Sequence, residues 1–369
     1  MQRLFAASTQ RRYFLDMPLR CNLYFSSEQA GVRQTVGARI DIASQPKGAD
    51  FSTWRRTEDM RYAIHGVMLA LALFGTVSTA LTQPFPSKPV RMIVGYTAGS
   101  EIDVIARMLA QEMSTKWGQP VVVDNRPGAG GTVAGAIAAV APADGYTLFF
   151  NSVSHAASSA LYPKLTFNPV RDFAGISQAT SAPNVLVAGP GMATQTIQEM
   201  IALAKSKPGQ INFGSAGMGS GTHITLEMFR LGTGINVAHI PYKGVPEVLT
   251  DTMTGRVHFS FAPIGNAQPL IKEKRLTALA VTMLTRAPSL PDVPTIAETA
   301  LKGFHWDQWY GLFAPVKTPR PIVTQISEEM ARVLSLPAIK ERIATRGSMP
   351  KSSTPAEFDK YVSAEADKI

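Results

Sequence analysis

The sequence predicts an α/β protein made of two units, each a parallel sheet covered by helices. Three observations point there. Short apolar strands alternate with amphipathic helices along most of the chain. Two glycine- and serine-rich segments, 96–103 and 213–223, each join a strand to a helix, one in each half. The 369 residues are enough for two domains.

The first unit opens with an apolar strand at residues 90–96. Ile102, Ile105, Ala106, Leu109 and Met113 then recur on one helical face. Val121, Val122 and Val123 form a second buried strand. A small-residue helix runs to about Ala141, and residues 147–150 make a third strand. The second unit begins with a short strand at 185–188. Thr196-x-x-Glu199 is a capping box, and Lys207-Pro208-Gly209 ends the helix it opens. Strands at 211–213, 237–240, 257–261 and 277–281 alternate with helices near 222–231, 246–254 and 267–272. The tail reads as helices at 321–334 and 337–345 and a third opened by Thr354-Pro355-Ala356-Glu357.

The N-terminal part is a different matter. Arg61 precedes an uncharged, mostly apolar run at 63–77, and Ser78-Thr79-Ala80 supplies a small-x-small cleavage pattern. Residues 60–80 therefore read as a secretory signal peptide, too short to span a bilayer. A buried core helix would carry a polar stripe that this run lacks. Residues 1–59 precede a signal that should be terminal. They are expected to be an extension upstream of the true start at Met60. Arg11-Arg12 resembles a twin-arginine signal, but Asp16 and Arg20 follow it with no apolar run.

Composition excludes several function classes. The net charge is +9, but of 36 basic and 27 acidic side chains ten and six lie in the first eighty residues. The rest are scattered, with no basic, aromatic-interleaved patch of the kind nucleic acid requires. Cys21 is the one cysteine, so no disulfide framework, thiol nucleophile or Cys-based zinc site is expected. Neither Ser215 nor Ser220 has glycines two residues to each side, so no nucleophile elbow is present. No Gly-Lys dipeptide supports a P-loop, and Gly128-Ala129-Gly130-Gly131-Thr132-Val133 lacks the third glycine of a dinucleotide fingerprint. The six histidines never fall at metal-pair spacing.

Two loops remain as candidates for chemistry. Tyr96-Thr97-Ala98-Gly99-Ser100-Glu101-Ile102-Asp103 leads into a helix whose N-terminus offers free amides and partial positive charge. That is a carboxylate site, at the end of the sheet where open α/β folds bind ligands. Ser100 and Asp103 also spell a simple capping box. Phe213 to His223 carries four glycines and two serines, either a second ligand grip or a flexible connector. His223 faces the ligand or caps its helix. His239, before Pro241, reads as a packed structural histidine. Trp306 and Trp309 read as core, with a ligand wall as the alternative.

Several stretches resemble one family. They are Ala98-Gly99-Ser100-x-x-Asp103-x-x-Ala106-Arg107, residues 118–131, Asp144-Gly145-Tyr146-Thr147-Leu148, Gly214-Ser215-Ala216-Gly217-x-Gly219-Ser220, Pro241-Tyr242-Lys243-Gly244 and Leu290-Pro291-Asp292-Val293-Pro294-Thr295. From about Phe85 onward the chain resembles the Bug-type periplasmic receptors of tripartite tricarboxylate transporters. The resemblance implies a two-lobed type II periplasmic-binding-protein fold with lobes joined by two crossing strands. Lobe 1 would comprise 84–183 plus 282–369, and lobe 2 184–281. It implies a small organic acid as ligand, membrane transporter subunits as partners, a periplasmic location, a monomer, and neither cofactor, metal nor enzymatic step. The candidate ligand contacts are Tyr96, Thr97, Ala98, Gly99, Ser100, Asp103, Asn151, Ser154, Ser215, Ala216, Gly217, Ser220, His223 and Tyr242. The family usually has Ala-Gly-Gly where this chain has Ala98-Gly99-Ser100, followed by Glu101. A Glu101 turned inward would repel a second ligand carboxylate. Turned outward, it would only complement the helix dipole in solvent.

Overall fold

The structure, a computed structural model, describes residues 85–368 together with the backbone of residues 19–24 and 37–42. The expected signal segment and most of the upstream extension lie outside the described residues. Within that extension, β1 (Leu19–Tyr24) and β2 (Gly37–Ile42) pair antiparallel, Leu19 opposite Ile42. The sequence reading did not anticipate this hairpin.

The body from Phe85 onward starts with β3 (Val90–Val94), α1 (Glu101–Trp117), β4 (Val121–Asn125), α2 (Thr132–Ala139) and β5 (Thr147–Ser152). β3 lies between β4 and β5 and is parallel to both. The apolar face predicted for α1 is buried, and Gly118 in the left-handed region closes the helix. α3 (Ser154–Leu161) follows β5 directly. Its sequence, SHAASSAL, has too few large apolar residues to declare a helix.

The architecture turns on one strand. β6 (Phe173–Ala188) runs 16 residues and is buried along almost its whole length. At the usual rise it reaches about 50 Å. Residues 173–183 pair antiparallel with β11 (Asp307–Pro315), which also pairs with β5. From Asn184 onward β6 pairs instead with β9 (Phe259–Pro263) and β10 (Thr277–Val281). Pro183 stands where the partners change, a place where a missing N–H costs little. Asn184 and Thr282 meet at that point: the Thr282 amide donates to the Asn184 carbonyl, and the Asn184 amide to Thr282 Oγ1, each at 3.0 Å. β6 and the return through 281–282 thus tie two lobes together.

The other lobe adds α4 (Ile197–Ser206), β7 (Asn212–Ser215), α5 (Gly221–Thr233), β8 (Ala238–Pro241), α6 (Val245–Met253) and α7 (Ile264–Lys272). β7 is parallel to β8 and β9. The predicted capping box at Thr196 is formed. After α8 (Ile296–Thr299) and β11, the chain finishes with α9 (Arg320–Ser335), α10 (Pro337–Ala344), β12 (Met349–Pro350) and α11 (Pro355–Asp367). Thr354 and Glu357 form the predicted capping box, and α11 packs Phe358 against Trp309 and Phe313. Trp309 is therefore core. Among the described residues no helix is long and apolar enough to cross a membrane.

Candidate functional site

Both candidate loops leave the C-terminal ends of parallel strands and enter long helices. They face each other across the space between the lobes. The cavity they enclose is about 20 Å³. Its walls come from Tyr96, Ser100, Glu101 and Ile102 of the first loop and α1, with Ser152 at the end of β5. Ala216, Ser220, Gly221 and Thr222 enter from the second loop and α5, and Val245, Pro263, Gln308 and Tyr310 complete it.

The first loop is held from behind. Asp103 accepts from the Gly99 amide at 2.9 Å, from Arg107 Nε at 3.0 Å and from Asn125 Nδ2 at 2.9 Å, and Asn125 also donates to the Tyr96 carbonyl. Asp103 is thus spent on the loop and does not line the cavity. Its partner in the predicted capping box behaves differently. Ser100 sits at the N-cap position, yet its hydroxyl caps no amide and instead lines the cavity. The first bond closing back onto the helix runs from the Val104 amide to the Ser100 carbonyl, 3.0 Å, so the Ile102 and Asp103 amides precede it. Asn266 of α7 clamps the turn from the other side. Its Nδ2 donates to the Gly99 carbonyl at 2.8 Å and its Oδ1 accepts from the Glu101 amide at 2.7 Å.

The second loop makes its own lattice of hydroxyls. Ser220 caps α5 by accepting from the His223 amide at 3.2 Å, and Thr222 Oγ1 accepts from the Ala216 amide at 3.0 Å. Gly217 and Gly219 have φ of 112° and 74°, the left-handed region that only glycine adopts freely. His223 accepts from the Gly219 amide and its ring lies 4.3 Å from that of His239. Burial lowers both histidines, His239 to about 4, with His223 adding to the effect. Both are neutral at pH 7. Ser215 Oγ lies 2.6 Å from His239 Nε2, but Ser215 is fully buried and outside the cavity, so no reacting atom reaches it.

Tyr96 and Tyr310 supply phenols, both raised by burial. Tyr96 donates to Ser154 Oγ at 2.9 Å and lies 3.3 Å from Ser152 Oγ, with Asn151 behind them at 3.4 Å from Ser154. Gln308 Nε2 donates to Asn184 Oδ1 at 3.1 Å and to the Tyr310 hydroxyl at 3.2 Å, joining the cavity to the strand crossing.

Of the sequence candidates, Tyr96, Ser100, Ala216 and Ser220 line the cavity. Asn151, Ser154, Asp103, Ser215, Gly217 and His223 support those residues from behind. Ala98 and Gly99 are exposed at the cleft edge. Thr97 donates to Glu247 of α6 at 3.0 Å, a contact between the lobes. Tyr242 points away and donates to Asp251 at 2.7 Å; burial, helped by that bond, raises the phenol to about 12. Sequence reasoning missed Ser152, Thr222, Gln308, Tyr310 and Asn266. Thr222, Gln308 and Tyr310 stood inside segments already singled out; Ser152 and Asn266 had no local signal.

Glu101 takes the inward of the two directions foreseen for it, with a partner that the sequence did not reveal. Its carboxylate is fully buried, lines the cavity, and is gripped by Arg346. Nε of Arg346 lies 2.9 and 3.0 Å from the two carboxylate oxygens and Nη2 lies 2.6 Å from one, while also donating to the Gly265 carbonyl at 3.1 Å. Burial pushes the Glu101 carboxyl up; the hydrogen bonds and charge of Arg346 oppose it. Among the described residues no group of three or more His, Cys, Asp or Glu side chains is placed to hold a metal.

Two lobes joined by crossing strands, with helix N-termini converging on the space between them, define a solute-binding receptor of the periplasmic type. The model of the tripartite tricarboxylate transporter family receptors matches residues 105–369, and the chain belongs to that family. It is 32% identical over 308 residues to BugT of Bordetella pertussis, covering 83% of this chain and 94% of that one. An R. palustris protein solved with adipate superposes with a TM-score of 0.75 at 30% identity, covering 77% of this chain and 95% of its own. MatC of Rhodopseudomonas palustris, solved with bound malate, gives 0.73 at 30% identity, covering 77% and 98%.

Proposed function

We propose that this protein is an exported receptor that captures a small carboxylate between its lobes by hinge closure and delivers it to a tripartite membrane transporter. The observation that carries the reading is the meeting of two helix N-termini, those of α1 and α5, across one hydroxyl-lined cavity. Free amides and helix dipoles at both sides favour an anion. The adipate and malate bound by the two relatives support a carboxylate in particular.

The size of the cavity supports closure. A cavity of about 20 Å³ has room for little more than one water. Parting of the lobes would admit a carboxylic acid, and would break the direct contacts between them, such as Thr97 to Glu247 and Tyr162 to the Met218 carbonyl. The exchange of β6 partners at Pro183 and Asn184, beside Thr282, supports a hinge there and lobes of 84–183 plus 282–369 and 184–281. Residues 60–80 serve as the export signal, and the receptor works as a monomer without cofactor or chemical step.

A thermal-shift screen of the purified protein against carboxylates, amino acids and neutral controls tests the reading. Ligands that bind the folded state raise Tm by mass action. A rise with carboxylates alone is the expected result; a response to neutral compounds alone, or turnover of any of them, refutes it.

A further inference from the structure

The charge inventory of the cavity carries the ligand class further, on the premise that the site binds a carboxylate. Among the residues that line the cavity none is Lys, Arg or His, and one, Glu101, is a carboxylate. Its side chain has no exposure to solvent. Arg346 is the countercharge, but it stands behind Glu101 rather than on the wall, and both carboxylate oxygens and the Gly265 carbonyl already occupy its Nε and Nη2. The carboxylate cannot turn away, because it packs against the Cα of Gly265, where even a methyl group would overlap it. Helix N-termini at Ser100 and Ser220 can neutralise one ligand carboxylate. A second anionic group in so small a space would meet Glu101 with no free cation, and low-dielectric surroundings strengthen that repulsion.

We infer that Glu101, fixed by Arg346, is a specificity-determining residue that restricts the receptor to ligands with a single carboxylate whose remaining part is neutral or cationic. Glu101 is itself the built-in second carboxylate of the site. Its negative charge suits an ammonium or another polar donor on the ligand, and the apolar wall of Ile102, Val245 and Pro263 suits a hydrocarbon stem.

The test is calorimetric titration of the purified protein with length-matched probes: valerate, δ-aminovalerate and glutarate, and benzoate beside terephthalate. In the wild type the monocarboxylate or amino acid of each set should bind at least about tenfold more tightly than its dicarboxylate, and Glu101→Gln should shrink that ratio to about threefold or less, a change of at least about threefold, or about 0.7 kcal/mol. If Glu101→Gln is poorly folded because Arg346 is left without its partner, Glu101→Gln/Arg346→Gln removes both charges and should shrink the ratio likewise. A dicarboxylate that binds the wild type as tightly as its monocarboxylate overturns the inference and leaves the carboxylate receptor standing. So does a ratio that both variants leave unchanged. If no acid of the panel binds while a neutral solute does, the receptor reading falls and the inference with it.

Discussion

Gly244 offers a way to separate closure from folding. It precedes α6 with φ −172° and ψ 173°, extended backbone that any residue adopts, so alanine brings no conformational strain. Its surroundings are the difficulty. A Cβ there would overlap Thr97 Oγ1 and lie 2.9 Å from Ser100 Oγ and 3.1 Å from Glu247 Oε2. Thr97 and Ser100 belong to the opposite lobe, so the methyl group obstructs only the approach of the two lobes. To admit it, the charge-assisted Thr97–Glu247 bond must be given up, at about 1.5–3 kcal/mol, and Ser100 must leave the cavity wall. Gly244→Ala should therefore weaken ligand binding by roughly tenfold to a hundredfold while leaving the ligand-free Tm within about 1 °C, as for a change made at an interface between lobes. Thr97→Ala in the same chain removes the overlapping oxygen and should recover part of the loss. Calorimetric titration and a ligand-free melt suffice. Binding unchanged within about twofold would show that this contact is absent from the ligand-bound state, and the reasoning would fail.

Other consequences follow from the same contacts. Ser100→Ala should reduce affinity but barely alter stability, since its hydroxyl caps no amide, whereas Ser220→Ala should also cost about 1 kcal/mol of stability in a denaturant titration; equal stability losses would contradict this. Arg346→Ala leaves the buried Glu101 carboxylate unpaired and should cost about 3–5 kcal/mol, with the double variant Glu101→Gln/Arg346→Ala losing less; a single variant as stable as the wild type would argue against the pair. His155 lies buried among Phe149, Phe167, Phe173 and Phe313, and burial lowers it to about 3, with the Pro169 carbonyl opposing the shift. Folded protein thus refuses a proton that the unfolded chain accepts below its ordinary 6.5. Its contribution to stability is intact above that pH and is lost progressively down to about 3, on the order of 5 kcal/mol in all. His155→Phe should flatten the acid limb of a Tm-against-pH curve, and an unchanged limb would contradict the assignment.

What could be read from the sequence was local. The apolar face of α1, the capping boxes at Thr196 and Thr354, and the two glycine-rich loops are each specified by residues within one turn of one another. β6 escaped because it is buried on both faces, so it lacks alternation, and because Ser177, Gln178, Thr180 and Pro183 interrupt its apolar pattern. Only residues 185–188 of it were visible as a strand. β11 was legible as an aromatic cluster and not as the strand that carries Tyr310 and Gln308 to the cavity. The Ser100–Asp103 pair matched a capping box by spacing, yet Asp103 alone works on the loop, through the Gly99 amide, and the Ser100 hydroxyl is released to the cavity. Arg346 and Asn266 reach the first loop from 245 and 165 residues away. Such distant partners have no pattern in one sequence, and they decide which way Glu101 points.

The central claim is that the lobes close on a carboxylate held between the N-termini of α1 and α5. Small-angle X-ray scattering of the purified protein, with and without a saturating carboxylate identified by titration, tests it most directly. A smaller radius of gyration with ligand is expected in the wild type, and a diminished change in Gly244→Ala. Saturation of the wild type with no change in radius would contradict capture by closure.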